Sequence, residues 1–353
     1  MFVGSYTENE GSQSKGISVY RMDSSSGELT FVTEAKDILN PSYLEIHPEQ
    51  QFLYAVNEVQ SFGGQEGGGV SALSIDPASG ELNLLNAHSS HGKDPCYISI
   101  EQTGRFAIVA NYSSGSVAML PIQADGQLGS ATDVVQHSGS SVHPERQTGP
   151  HAHCILPDPQ NRFAIAVDLG LDKLLVYEMD LELGKLNKHN EVNVRAGAGP
   201  RHLTFHPNGQ YAYLINELNA TLIGYRYHSA TGSFEELQAV PALPEDFTGE
   251  NLCADVHISP SGNYLYASNR GHDSIVCFSI DQTTGQLTYR HHTAAGGREP
   301  RNFAIDPTGT FLLAANQNSH TIVTFRIDSK SGELSKTEHE AAVSMPVCVK
   351  FAN

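Results

Sequence analysis

One phrase returns along the whole chain: a proline or its stand-in, an alternating apolar run, a turn, and a second apolar run ending in a polar pair. It reads PSYLEIHPEQQFLYAVNE from Pro41, PCYISIEQTGRFAIVANY from Pro95 and PHAHCILPDPQNRFAIAVDL from Pro150. It continues as PRHLTFHPNGQYAYLINE from Pro200, CADVHISPSGNYLYASNR from Cys253 and PRNFAIDPTGTFLLAANQ from Pro300. Successive starts fall 46 to 55 residues apart, and a seventh, PVCVKFAN from Pro346, stops short. The opening MFVGSYT supplies the continuation that this last copy lacks.

A second phrase alternates with the first. GISVYRMDSSSGELTFV from Gly16, VSALSIDPASGELNLL from Val70, IVCFSIDQTTGQLTYR from Ile275 and IVTFRIDSKSGELSKT from Ile322 are its clearest copies, with weaker ones near Val117, Leu174 and Leu222. D-x-x-[ST]-G-x-L between alternating apolar runs is a turn joining two strands. Each unit is therefore four short strands, with no helical period to set against them. Four strands every 50 residues or so describe a propeller blade. The sequence predicts an all-β, seven-bladed β-propeller of four antiparallel strands per blade, one domain over residues 1–353. Its C-terminal strand should join three N-terminal strands in a shared blade, which removes a free sheet edge. An open solenoid leaves the complementary end fragments unexplained.

Charge narrows the partners. The chain of 353 residues carries 39 acidic and 21 basic side chains, a formal charge of −18. Nucleic acid and anionic membrane both require a basic footprint, so neither is expected. No apolar run reaches transmembrane length, and the N-terminus has no basic, apolar leader pattern. The five cysteines are odd in number and lack CxxC spacing. Free thiols in a reducing cytoplasm are the expectation.

In each blade the first residue of strand A should lie beside the last residue of strand B, at one mouth of the channel. By this alignment one ring contains Ser42, Cys96, His151, Arg201, Ala254, Arg301 and Val347. A second contains Ser5, Asn57, Asn111, Asp168, Asn216, Asn269 and Asn316, followed by Tyr6, Glu58, Tyr112, Leu169, Glu217, Arg270 and Gln317. His153 falls in an otherwise apolar column with Leu44, Ile98 and Leu203. Arg201, Arg270 and Arg301 thus concentrate guanidiniums at one mouth of an acidic protein. Some pair with Glu217, Glu58 or Asp168, but their number points to an anion site, since Arg matches carboxylate and phosphate. The recurring asparagines read first as turn caps bonding their own backbone. His151 and His153 lack a third ligand and sit among cations, so no metal is expected. Asp255 and His257, two residues apart, form a pair that orients an imidazole or only packs. The long link from Gln136 into the third blade brings His143, Arg146 and Gln147 toward the same opening, as a binding loop or a solvated one.

PERQTGPHAH, PRHLTFHPNGQYAYLINE, ADVHISPSGNYLYASNRG and PRNFAIDPTGTFLLAANQ together resemble the propeller-type lactonase family, which includes bacterial 6-phosphogluconolactonase and the fungal carboxy-muconate lactonizing enzyme. The resemblance covers essentially the whole chain. It implies a metal-free propeller without cofactor, and a catalytic set of one His, two Arg and one Glu that falls on His153, Arg201, Glu217 and Arg270, with His151 as second choice for the imidazole. Substrate contacts are then expected from His151, Arg146, Arg301, Asn216, Asn269 and His257. The implied activity is hydrolysis of a small anionic sugar δ-lactone, 6-phosphoglucono-1,5-lactone, in the pentose phosphate pathway, by a monomer or weak homo-oligomer. A muconate-type cycloisomerase and a non-catalytic binding propeller are the alternatives, separable by offering both substrates and by searching for protein partners.

Overall fold

The computed structural model describes residues 1–352. Among these residues the strands assemble into seven four-stranded antiparallel sheets, plus one small hairpin of Ser61–Phe62 and Gln65–Glu66. We number the blades from Pro41 and letter their strands A to D outward from the channel. In the seventh blade strand A is Pro346–Lys350, and Phe2–Ser5, Gly16–Met22 and Leu29–Lys36 follow outward. Phe2 pairs with Lys350, Val3 with Val349 and Gly4 with Cys348. Each strand A contacts strand A of both neighbours, and the cycle closes where Pro346–Lys350 meets Leu44–Ile46.

Burial follows from this stacking. Strand B of the second blade, Phe106–Asn111, is buried at every residue, whereas its outer strand, Asp133–Gln136, alternates. Inner strands are covered on both faces by neighbouring blades, so they read as continuous apolar runs. The C–D turns are built by the recurring Asp. Oδ1 of Asp23, Asp76, Asp281 and Asp328 accepts the backbone N–H groups two and three residues on. The glycine that follows in each motif adopts positive φ, between 73° and 81°, a conformation that costs other residues more.

The strand-B asparagines do something other than cap their own turns. Asn57 Nδ2 donates to Leu39 O, Asn111 to Ser90 O, Asn269 to Ala242 O and Asn316 to Ala295 O. Each carbonyl lies just past strand D of the preceding blade, so the side chain ties the inner sheet to the incoming connection. Asp168 fills this role in the third blade, accepting from His137 Nδ1 at 2.6 Å.

Candidate active site at the channel mouth

The hairpin register places the mouth. Pro95 faces Asn111, Pro200 faces Asn216 and Pro300 faces Asn316. Immediately after each proline the register shifts, and the extra residue is Cys96, Arg201 or Arg301. A bulge at a strand end re-aims one side chain. In the third blade the residue facing Asp168 is Ala152, and the bulged residue is His153. His153 is therefore the partner of Arg201 in the mouth ring, and His151 stands before the strand. This corrects the alignment from sequence: the two additional residues of the third copy lie ahead of its strand A. The apolar column that His153 seemed to break is occupied there by Ile155.

The ring lines a narrow cleft, with Ser42, Cys96, His153, Arg201, Arg301 and Val347 around it and Glu58 above. The cleft widens into a polar cavity of about 520 Å³ bordered by Tyr6, Asn40, Glu58, Asp94, Arg301 and Gln317. Beside the cleft, Glu217 is buried and bound by three guanidiniums. Arg201 Nε reaches Oε2 at 3.0 Å, Arg270 Nη2 reaches Oε2 at 2.9 Å, and Arg146 Nη2 reaches Oε1 at 2.5 Å. Burial alone raises the Glu217 carboxyl, but Arg270, Arg201 and Arg146 outweigh it and bring it down to about 2. Arg201 is held down to about 10, chiefly by burial and then by Arg270 and Arg301. Gly271 follows Arg270 with φ of +107°, and a Cβ there would lie 2.2 Å from Glu250 O, so only glycine ends this strand.

His153 is 4 % exposed, with Nδ1 3.7 Å from Cys96 Sγ and its ring 5.2 Å from that of His202. Burial first, then Arg201, His202 and Arg301, hold its imidazole well below 6.5, so it is neutral at neutral pH. His151 stacks on Tyr112 at 4.6 Å, and its Nδ1 lies 3.0 Å from Tyr112 O. Arg146 reaches the mouth from the long link and also donates to Tyr112 Oη at 3.1 Å. That link is pinned by Gln147, which is buried and donates to Leu169 O. Arg301 differs from the other three arginines. Among the described residues it has no carboxylate within 4 Å, and its guanidinium lies 5.6 Å from the Tyr6 ring centroid.

Three residues expected at the mouth are directed elsewhere. Asn216 Nδ2 donates to Thr221 Oγ1, and Asn269 bonds Ser274 Oγ and Ala242 O, so both amides are taken up by the first residue of their own strand C, and Asn269 also by the incoming connection. His257 borders the opening at the other end of the channel, with Pro260, Ile305, Lys350 and Phe351. Sequence reasoning overlooked Tyr6, whose hydroxyl bonds both oxygens of Glu58 at 3.0 and 3.1 Å. Tyr6 was already in the ring column with Glu58 and Glu217. Burial raises the Glu58 carboxyl against the pull of Arg301. His202 was overlooked too; it stands one residue below the ring and is held down to about 4 by burial and Arg201. Among the described residues no group of three or more His, Cys, Asp or Glu could hold a metal ion.

A family model for the seven-bladed β-propeller lactonases matches residues 1–351. A 6-phosphogluconolactonase of Bacillus subtilis is 37% identical over 352 residues, which is 100% of this chain and 98% of that protein. One from Formosa agariphila is 36% identical over 311 residues, 86% of each. The solved periplasmic gluconolactonase PpgL of Pseudomonas aeruginosa superposes with a TM-score of 0.91 at 36% identity, covering 98% of this chain and 96% of that one.

Proposed function

The chain belongs to the seven-bladed β-propeller lactonase family, and from this we propose how its mouth residues divide the work of opening a sugar lactone. The protein is a lactone-hydrolysing enzyme of 6-phosphogluconolactonase type. Hydrolysis adds water to the lactone carbonyl, places negative charge on the carbonyl oxygen, and expels the ring oxygen with a proton. His153 is the base. It is neutral, faces the cleft, and offers a lone pair, whereas Glu217 is quenched by three guanidiniums. Protonated beside Arg201 and Arg301, the imidazole becomes a strong acid, suited to returning the proton to the departing ring oxygen. Arg201 and Arg270 are oriented by their shared carboxylate and stabilise the oxyanion. Arg301, the unpaired guanidinium, takes the substrate phosphate at the wide end of the cavity, with Arg146 as the closing contact from the long link.

The reading rests above all on one arrangement, a neutral imidazole and the carboxylate-anchored Arg201 guanidinium lining one cleft, with Arg270 on the same carboxylate beside it. We place the reaction in the pentose phosphate pathway and the cytoplasm; the described cysteines are all free thiols, which fits a reducing compartment. We also read the enzyme as metal-independent and a monomer or weak homo-oligomer, the guanidiniums supplying the positive charge a Lewis acid would give.

His153→Asn keeps a polar side chain and removes the base. It should lower kcat/KM for 6-phosphoglucono-1,5-lactone by about 100-fold or more once spontaneous opening is subtracted, and EDTA should leave the wild-type rate unchanged. The acidic limb of the wild-type profile should lie below pH 6.5, because the folded environment disfavours the imidazolium. A variant as fast as wild type removes His153 from the mechanism. Turnover of a carboxymuconate with no lactone hydrolysis would replace the hydrolase by the cycloisomerase.

A further inference from the structure

Directly beneath the mouth ring a second ring of side chains comes from the next residue of each strand A. In blades four, five and six these are His202, Asp255 and Asn302, all buried. His202 Nε2 lies 3.2 Å from Arg201 Nη1, and His202 Nδ1 lies 2.8 Å from Asp255 Oδ1. A guanidinium only donates, so Nε2 must be the bare, accepting nitrogen. The proton of the neutral ring then sits on Nδ1 and is donated to Asp255. Asp255 is itself over-determined. Oδ1 also accepts Val256 N–H at 3.0 Å, and Oδ2 accepts from Asn302 Nδ2 and from His257 Nε2 at 2.8 Å. Asn302 is in turn fixed by Val349 N–H, which donates to its Oδ1 at 2.8 Å.

Building on the lactonase reading above, we propose that Asp255 and His202 are positioning residues that hold Arg201 at the angle needed to receive the oxyanion. The carboxylate selects the Nδ1–H tautomer, and that tautomer presents Nε2 as an acceptor to the guanidinium. This is the logic by which a buried carboxylate orients an imidazole in hydrolase triads, applied here to an arginine rather than to a nucleophile. Glu217 holds one edge of Arg201, through Nε; His202 and the Ala254 carbonyl, 2.6 Å from Nη1, hold the other. His257 is the outer end of the same network. It reaches Asp255 from the opposite opening and never approaches the mouth, which gives this histidine a structural place in the site without contact to substrate.

The first test is spectroscopic. In the wild-type protein at pH 7, the imidazole 15N shifts of His202 should report a neutral ring protonated on Nδ1; a ring protonated on Nε2, or on both nitrogens, overturns the proposal. The second is kinetic. His202→Phe keeps the ring volume and removes both nitrogens, and kcat on the lactone should fall about 100-fold while KM moves by less than about threefold. Asp255→Asn should lose kcat similarly, since His202 and Asn302 donate to opposite oxygens of Asp255, and in the amide one of those two positions becomes an NH2 that cannot accept. The double variant should be no slower than the worse single one, because the pair acts as a unit. A folded His202→Phe protein with kcat within threefold of wild type sinks the idea. If that variant does not fold, Asp255→Asn decides on the same threshold. Should the wild-type protein hydrolyse no lactone at all, the assigned activity fails, and the His202 spectrum still judges the hydrogen-bond chain by itself.

Discussion

Glu217 is buried and sets one negative charge against three guanidiniums, two of them buried with it and the third, Arg146, partly exposed. Removing one partner of such a group leaves uncompensated charge, which costs about 3–5 kcal/mol. Glu217→Gln should therefore lower the unfolding free energy at pH 7 by about that amount, read from urea denaturation. The folded carboxyl lies near 2 and the unfolded one near 4.5. Its stabilising contribution is thus complete above pH 4.5 and disappears as the pH falls toward 2. The gap between variant and wild type should narrow over that window, and a gap that stays constant would show that the charge is not what Glu217 contributes. The same cluster shows what could be read without coordinates. Arg201, Glu217 and Arg270 converge because the first residue of strand A meets the last residues of strand B, a relation that spacing alone discloses. His153 was misplaced by two positions, because a bulge and an insertion leave the same trace in a single sequence. Arg201 is also more deeply set than an exposed anion contact; with Glu217, His202 and Ala254 all bound to it, its removal costs stability as well as rate.

The first, fourth and fifth blades are each joined to the next by contacts that a hydropathy pattern cannot reveal. Tyr54 Oη donates to Gly126 O at 2.9 Å, Tyr213 Oη to Gly285 O at 2.8 Å, and Tyr266 Oη to Gly332 O at 2.8 Å. In every case a strand-B tyrosine reaches the C–D turn of the following blade. His47 Nε2 lies 3.0 Å from Gly104 O and His206 Nε2 lies 2.9 Å from Gly262 O, linking the A–B turns in the same direction. From sequence the tyrosines count as apolar strand residues, and their partners are backbone carbonyls about 70 residues away. The turn motif was legible because Asp and Gly act within it; the latch was not, because only one of its two atoms belongs to a side chain. Each Tyr→Phe change strands a buried carbonyl and should cost about 1 kcal/mol. The three sites share no partner, so the triple variant should lose about the sum of the singles in urea denaturation, with kcat unaltered. A triple variant as stable as wild type would reduce these bonds to incidental contacts.

A propeller differs from a solenoid in having no end, and this chain meets that requirement with one strand. Pro346–Lys350 covers the inner edge of Phe2–Ser5 and stands between the sixth and first blades. It also brings three contacts to the channel wall: Lys350 Nζ bonds Glu45 at 2.9 Å, Val349 N–H reaches Asn302, and Leu44 N–H meets Cys348 Sγ at 3.4 Å. Val347 completes the mouth ring itself. Removing residues 346–353 therefore exposes a strand edge, opens two blade interfaces and loosens the Asn302 support beneath Arg201. In a stack of independent repeats, an end strand contributes only its single neighbouring interface, so its loss trims stability locally. In a closed ring the loss is shared by every blade, and the melting midpoint should fall by more than about 10 °C with a broadened transition. A synthetic peptide spanning residues 344–353 should restore both the midpoint and lactone turnover when added in excess. A truncated protein that melts sharply within a few degrees of wild type would mean that the blades hold together without closure, and that the mouth owes its geometry to neighbouring pairs rather than to the ring.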